Sequence, residues 1–280
     1  MIHIRSLRSS AAHIVGGMAV AAMLSACTEP SGNDAQMAFD TYAVGRCFAL
    51  EGSAKVFQQD SDLTYADSVS LILPLRLQNC NVQPLRDTIT SYALGVTGKP
   101  ILPSINEYIE RSAQQVGFKT KPVNSRAAAI MAPSFDIVSG FVAYMSPEVL
   151  VYCVRTESQR AGAAHGMTVR RYINYLLRGQ GKVLTLTSLF TPEGLKQLPD
   201  RIAEQALSLS DIIGPTSVDG LPANDNFYLS SEGEIVFSYQ PYEIASYAQG
   251  TIDIPFYPYE LSDLMTPEAI DIFNLADLEN

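Results

Sequence analysis

The chain has 280 residues, 47% of them hydrophobic and 17% charged, and it carries a formal net charge of −10. Lysine and arginine form no cluster that could neutralise phosphates, so nucleic acid is excluded as a partner. Beyond residue 26 the sequence contains one histidine, His165, and no Cys-x-x-Cys pair, so we expect no metal site and no cofactor.

The first 26 residues have the three parts of a lipoprotein signal peptide. Arg5 and Arg8 supply the basic part, residues 14–24 are apolar, and the tetrad LSAC ends at Cys27. The apolar run is too short to span a membrane, which takes about 20 residues in a helix. We predict cleavage after residue 26 and attachment of diacylglyceryl and palmitoyl chains to Cys27. The alternative is an ordinary signal peptide followed by a buried or disulfide-bonded Cys27.

A lipid on Cys27 would hold the protein on a membrane while the rest of the chain stays in water. Thr28 stands where an aspartate would signal retention at the inner membrane, which favours the outer membrane of a Gram-negative cell and leaves the periplasmic and surface faces open. Loss of Arg5 and Arg8 leaves 17 cationic and 29 acidic residues, a formal charge of −12. This charge keeps an envelope protein soluble and also attracts a cationic partner.

Residues 27–40 are polar and without periodicity, so we expect a flexible tether. Apolar and polar residues then alternate over residues 67–78, which predicts a half-buried strand, with Pro74 marking an edge or a bulge. Residues 42–50 are expected to pair with this strand. Two short helices follow, one over residues 84–94 and one opening at Pro103. The buried face of the first helix is predicted to carry Leu85, Ile89, Tyr92 and Ala93.

The second half of the chain predicts an antiparallel meander followed by mixed elements. The expected strands cover residues 135–145, 149–157, 167–177, 182–189, 226–230, 234–239 and 252–256. Thr191 and Thr266, each followed by proline, have the cap signature of a helix start. We therefore predict an α+β fold of antiparallel sheets with helices packed on them, divided into an N-terminal subdomain over residues 41–130 and a C-terminal domain over residues 131–280.

Three cysteines remain after lipidation, Cys47, Cys80 and Cys153, in a compartment that permits disulfides. The odd count leaves at least one thiol outside any disulfide within the chain. Cys47 and Cys80 lie at the edges of strand-like runs and are the first expected pair, although spacing alone leaves the other two pairings open.

The segment SYQPYEIASYAQG, residues 238–250, connects two predicted strands. Pro241 lacks an N–H and stops the ladder after Tyr239, so the chain must turn there. One interpretation is structural, with the Glu243 carboxylate accepting N–H bonds at the turn and the tyrosines half-buried. The other is functional, because tyrosine is a preferred contact residue of protein interfaces. We predict a binding surface formed by Tyr239, Tyr242, Glu243, Tyr247 and His165.

Three sequences carry a family resemblance: AGAAHGM at residues 161–167, GQGKVLTLTSLF at 179–190 and FSYQPYEIASYAQGTIDIPFYPYEL at 237–261. Together they resemble the extracellular domain of unknown function in RsiV-like, lysozyme-sensing anti-sigma factors, a domain that also occurs beside peptidoglycan deacetylase domains. The resemblance is specific from about residue 160 to about residue 265 and implies an α+β envelope module that binds protein. Because the chain lacks a sigma-binding segment, a membrane-spanning helix and the deacetylase metal ligands, we expect neither of those two activities.

These observations lead to a non-enzymatic, lipid-anchored envelope lipoprotein that binds either a protein, with a cationic lysozyme-like protein as one candidate, or a peptidoglycan-related partner. The alternative is a cell-wall glycan hydrolase that uses Glu243 or His165 for acid–base chemistry. A third hypothesis is a structural spacer in a larger envelope complex.

Overall fold

The structure is a computed structural model that describes residues 2–4, 37–209, 221 and 223–274. The predicted lipidation site Cys27, most of the predicted signal peptide and the first part of the tether lie outside these residues. The chain divides into two compact units, the first formed by Met1–Phe141 and Val154–Thr168 and the second by Val142–Cys153 and Val169–Asn280.

The secondary structure confirms the α+β class. The first unit contains β1 Ile2–Ile4, β2 Met37–Glu51, α1 Ser53–Phe57, β3 Thr64–Leu77, α2 Gln83–Leu94, α3 Ile101–Gln115, β4 Lys119–Pro122 and α4 Arg126–Ile130. Three strands contribute residues to both units: β5 Ser134–Met145, β6 Val149–Gln159 and β7 Met167–Leu176. The second unit adds β8 Lys182–Leu184, α5 Leu186–Leu189, α6 Pro192–Ser208, β9 Phe227–Leu229, β10 Ile235–Tyr239, β11 Ile252–Phe256 and α7 Pro267–Ile272. Two short 3₁₀ helices cover Tyr247–Gln249 and Pro258–Leu264.

The strands hydrogen-bond in the order β1-β2-β3-β5-β6-β7-β8, and β4 also pairs with β2. In the first unit β2 and β3 pair antiparallel, as predicted, from Met37 opposite Leu77 to Ala49 opposite Thr64. In contrast, β3 and β5 run parallel. A parallel neighbour requires a long crossover, and helices α2 and α3 lie in that connection. The sheet is therefore mixed.

The bulge predicted at Pro74 is present. Phe39 pairs with Pro74 and Ala38 with Arg76, so Leu75 is the extra residue of β3. A bulge shifts the alternation of side chains by one position. As a result Leu75, which the alternation placed on the buried face, is 46% exposed, whereas Pro74 is buried.

The expected disulfide between Cys47 and Cys80 is wrong, since both residues are thiols. Cys47 lies opposite Ala66, near one end of the β2–β3 ladder, whereas Cys80 follows Leu77 at the other end. More than ten residues of strand separate the two positions, or about 35 Å at ~3.3 Å per residue. Disulfides join Cα atoms that are less than about 7 Å apart.

Two local expectations are also wrong. Tyr92 of α2 is 37% exposed, although its neighbours on the predicted face are buried. The strand predicted over residues 182–189 ends at Leu184, because Thr185 and Ser188 form a capping box that begins α5. Leu186 and Leu189 then enter the core from this helical turn.

The second unit has its own hydrophobic core. Strands β9, β10 and β11 form an antiparallel sheet in the order β11-β10-β9, and one face of it buries Phe227, Phe237 and Ile254. Helix α6 begins at the predicted cap Thr191, whose hydroxyl accepts the Gly194 N–H. Its apolar side chains in the same core are Leu198, Ile202 and Ala206.

Side-chain amides occupy backbone hydrogen-bonding positions in this unit. The Asn174 amide donates to the Phe227 carbonyl at 2.8 Å and accepts the Leu229 N–H at 2.9 Å, which covers the outer edge of β9. In return, Asn226 accepts the Tyr172 N–H at 3.0 Å and donates to the Arg170 carbonyl at 3.0 Å on β7. Strand β8 pairs with β7 only from Asn174 onward, so Asn226 extends the bonding of β7 beyond the end of β8.

The outer edge of β11 is closed in a similar way. Pro255 has no N–H to offer, and its carbonyl accepts a hydrogen bond from Gln205 of α6 at 3.0 Å. Unpaired strand edges invite pairing with another chain. Both edges of the three-stranded sheet are therefore protected by amide side chains, and a partner cannot simply add a strand at Pro255.

No helix among the described residues has the length and apolar character needed to cross a bilayer.

Replacing Asn174 by leucine tests the reciprocal amide contacts. The substitution leaves the Phe227 carbonyl and the Leu229 N–H buried without these partners, which should lower the free energy of unfolding by about 2–4 kcal/mol. Chemical denaturation followed by circular dichroism measures the change. Asn124→Leu, at an exposed position, is the matched control and should change stability by less than about 0.5 kcal/mol. Equal effects of the two substitutions would contradict the role of Asn174.

Candidate functional site

The predicted turn after β10 is closed by its own backbone and by a carboxylate. The Glu243 N–H donates to the Gln240 carbonyl at 3.0 Å, and the Glu243 carboxylate accepts the Gln240 N–H at 2.8 Å. Pro241 occupies the second position and Tyr242 the third, with φ at 73°. This is the pattern of a type II turn, whose third position requires positive φ and usually holds glycine.

Tyr242 therefore has a left-handed backbone conformation, which is unfavourable for a residue that has a Cβ atom. The left-handed region costs a non-glycine residue roughly 1 kcal/mol. Burial does not offset this cost, because Tyr242 is 58% exposed. Its ring lies 5.8 Å from that of the partly buried Tyr247, centroid to centroid. Neither burial nor the freedom of glycine therefore compensates for the strain at this position.

The rest of the segment is held by short-range hydrogen bonds. The Tyr242 N–H donates to the Ala245 carbonyl at 3.1 Å. Ser246 and Gln249 form a capping box around the 3₁₀ helix that contains Tyr247. Gly250, with φ at 70° and ψ at −149°, leads the chain into β11. The two tyrosines are thus fixed in a compact turn.

Tyr239 is not part of this surface, because it is only 1% exposed and its ring lies in the core of the second unit. Burial, reinforced by the negative charge of Glu243, raises the pKa of its hydroxyl. The next residue, Gln240, accepts the Arg170 N–H at 2.8 Å through its side-chain oxygen. Tyr239 and Gln240 therefore attach the turn to the core and to β7, whereas Tyr242 and Glu243 are exposed and Tyr247 is partly buried.

His165 belongs to the first unit, in the connection between β6 and β7, where it is exposed. Its Nδ1 lies 2.9 Å from the Gly166 carbonyl. Glu243 belongs to the second unit. Among the described residues no group of three or more potential ligands is arranged to hold a metal ion.

Sequence reasoning missed a polar cluster in the first unit. Asp67 of β3 and Asp136 of β5 are direct neighbours in the parallel register. The Tyr65 hydroxyl lies 2.9 Å from the Asp67 carboxylate and 2.7 Å from that of Asp136. Arg160 makes a bidentate contact with Asp136, at 3.0 and 2.8 Å, and its guanidinium lies over the Tyr65 ring.

Burial and charge together change the titration of this cluster. The pKa of Asp67 is raised from 3.8 to about 7, mainly by burial; the hydrogen bond from Tyr65 opposes the increase, and the charge of Asp136 contributes to it. Burial and the neighbouring Asp67 also raise the pKa of Tyr65. Asp67 is only 1% exposed, so it has no direct access to a large substrate. The cluster holds β3, β5 and Arg160 together.

One signal for Asp67 was present in the sequence. It lies on the same side of the period-two pattern as Val69 and Leu71, which are buried. A carboxylate on a buried face needs a partner. The identity of that partner depends on which strand lies beside β3, and the local pattern does not contain this information.

The second unit is thus an α+β domain whose three-stranded sheet presents a closed tyrosine turn. Residues 187–257, which include α6, this sheet and the turn, match the family described as "Protein of unknown function (DUF3298)". The chain therefore carries a DUF3298 domain in this segment.

Two solved structures share the fold over most of the chain. A DUF3298 family member from Bacteroides fragilis NCTC 9343 is 18% identical, with a TM-score of 0.64, and the match covers 84% of this chain and 96% of that one. A DUF3298 family protein from Pseudomonas aeruginosa PAO1 is 17% identical, with a TM-score of 0.50, over 82% of this chain and 95% of that one. The comparison with curated proteins found no match.

Asp67→Asn tests the buried cluster through the pH dependence of stability. Because the folded-state pKa of Asp67 is raised, its contribution to stability is complete below about pH 3.8 and is lost as the pH rises through about 7. The natural protein should therefore lose about 3 kcal/mol of unfolding free energy between these values from this group. The variant, whose amide stays neutral, should lack this decline. Denaturation at several pH values measures it, and Asp60→Asn, at an exposed position, should behave like the natural protein.

Proposed function

We propose that the chain is a lipid-anchored protein of the cell envelope, tethered through Cys27 to the outer membrane of a Gram-negative cell, and that it acts as a non-enzymatic binding module. Its binding surface includes Tyr242 and Tyr247. The carrying observation is the strained Tyr242, whose side chain is exposed beside a second tyrosine in a turn closed by hydrogen bonds. Rigid aromatic side chains of this kind contribute binding energy at a low cost in conformational entropy.

The role of Glu243 favours binding over hydrolysis. Its carboxylate accepts the Gln240 N–H and so maintains the turn. A carboxylate in this structural role supports a presented surface more directly than it supports acid–base catalysis.

The expected partner is a cationic protein. The acidic composition favours such a partner through long-range attraction, which speeds association and is weakened by salt. The resemblance to lysozyme-sensing proteins makes lysozyme the first partner to test. A peptidoglycan fragment is the other ligand consistent with an exposed tyrosine pair.

Tyr242→Gly separates binding from folding. Glycine accepts positive φ, so the unfolding free energy should be unchanged or higher by up to about 1 kcal/mol. Capture of the chain on immobilised lysozyme should nevertheless fall by about tenfold, because the exposed ring is lost. The natural protein should also be captured less well when salt rises from about 0.05 M to about 0.3 M.

Tyr92→Ala is the control for this experiment, since it removes an exposed tyrosine of the first unit. Its capture should equal that of the natural protein. Absence of capture of the natural protein at low salt would eliminate lysozyme as a partner. Equal capture of the natural protein and Tyr242→Gly would remove the turn from the binding surface.

A further inference from the structure

The turn after β10 has a counterpart after β11. The tripeptide Pro-Tyr-Glu occurs at residues 241–243 and again at residues 258–260. In both places the glutamate carboxylate accepts the N–H of the residue before proline, Gln240 at 2.8 Å and Tyr257 at 2.7 Å. The glutamate N–H donates to the carbonyl of that same residue, at 3.0 and 2.9 Å. The same two hydrogen bonds therefore close both turns, although the backbones differ, since Tyr242 has positive φ and Tyr259 lies in the 3₁₀ helix Pro258–Leu264.

The second turn also presents a pair of tyrosines. Tyr257 is 46% exposed and Tyr259 is 57% exposed, close to the 58% of Tyr242. The two rings lie 5.7 Å apart and are parallel to within 6°. Single exposed aromatic residues are ordinary on protein surfaces. Two pairs of neighbouring tyrosines, each at a turn of the same sheet, are less common, and they point to a common function of the two turns.

Strand β11 sets the spacing between the turns. Tyr239, just before the first turn, lies opposite Ile252 at the start of β11, and the second turn follows Phe256 at its end, so about five residues, or about 17 Å at ~3.4 Å per residue, separate the turns. Asp253 lies on this strand between them and is exposed. An extended polypeptide of about five or six residues is long enough to reach from one tyrosine pair to the other.

The charge around the turns is of one sign. Residues 202–280 contain 14 acidic residues and no lysine, arginine or histidine, whereas all 19 cationic residues lie earlier in the chain. Within the described part of the chain, the ion pairs of this segment involve Asp263, Glu268 and Asp271. Glu243, Asp253 and Glu260 form no ion pair with any described residue. Three exposed carboxylates thus accompany the two tyrosine pairs.

We propose that the two Pro-Tyr-Glu turns together bind one extended, basic polypeptide segment. Lysine or arginine side chains of the partner stack on the tyrosine pairs, and their charges are balanced by Glu243, Asp253 and Glu260. This inference rests on the proposed binding function and adds the second turn and the chemistry of the bound segment. A basic peptide uses both the rings and the charges, whereas a neutral glycan uses only the rings.

Two Lys-Gly peptides of different length test whether the turns act together. A peptide of about ten residues reaches both turns, and one of about three residues reaches only one. Fluorescence anisotropy of the labelled peptides at low salt should show that the long peptide binds the natural protein at least about tenfold more tightly. In the double variant Tyr257→Ala/Tyr259→Ala the affinity for the long peptide should fall to about that for the short one.

Two further variants control for folding and for charge. Tyr92→Ala in the first unit should bind both peptides as the natural protein does. Asp253→Asn keeps an oxygen that can accept the bond from the Tyr228 hydroxyl, now at 3.2 Å, and removes only the charge. Its affinity for the long peptide should fall by about threefold. Thermal melts confirm that each variant is folded.

The outcomes distinguish this inference from the proposed function. If the long peptide binds no more tightly than the short one, or if the double variant binds it normally, the joint action of the turns is overturned. Binding of a chitin oligosaccharide in place of both peptides would overturn the basic partner. Loss of lysozyme capture in Tyr242→Gly but not in the double variant would leave the proposed function intact and eliminate the second turn. Binding of the long peptide through both turns without lysozyme capture would eliminate lysozyme alone.

Discussion

The second unit depends on amide side chains that replace backbone partners. Asn174 bonds to two outward-facing groups of β9, the Phe227 carbonyl and the Leu229 N–H, and Asn226 does the same for two residues of β7. An amide carries a donor and an acceptor in one plane, so it can substitute for a short stretch of neighbouring strand. Buried backbone groups without partners are costly, and these contacts remove that cost where strands end. They also fix β7 and β9 relative to each other within the unit.

This arrangement determines how the tyrosine turn is presented. Gln240 bonds to the β7 backbone at Arg170, and Tyr239 is embedded in the core. The chain is therefore attached both to β7 and to the core where the turn begins. Glu243 then closes the turn above them. A surface fixed in advance loses little entropy on binding. The hydrogen bonds that Glu243 and Ala245 form in the turn maintain the strained backbone conformation of Tyr242. In the first unit, the position of the buried Asp67 is likewise fixed by side chains, since the Tyr65 hydroxyl lies within hydrogen-bond distance of both Asp67 and its neighbour Asp136.

Local pattern was sufficient for much of the fold. The alternation around Val69 and Leu71 predicted β3, and Thr191 before proline predicted the start of α6. The early end of the strand predicted over residues 182–189 came from a local capping box, whereas the larger failures depended on contacts distant in sequence. The β2–β3 register separates Cys47 from Cys80, and the parallel neighbour of β3 brings Asp136 beside Asp67. The segment around Pro241 was correctly predicted to turn, but the strain in it was hidden, because a tyrosine where a type II turn expects glycine gives no local sign of its backbone angle. The buried position of Tyr239 likewise followed from packing.

Amide hydrogen exchange tests most directly whether the sheet and its turn are fixed by side chains. Four backbone N–H groups donate to side-chain oxygens and not to the carbonyl of a neighbouring strand: those of Arg170, Tyr172, Leu229 and Gln240. We predict that they exchange as slowly as the N–H groups of β10 at the centre of the sheet, through global unfolding. Exchange as fast as that of the exposed hairpin residue Ser231 would show that the contacts open freely and would contradict a turn held ready for a partner.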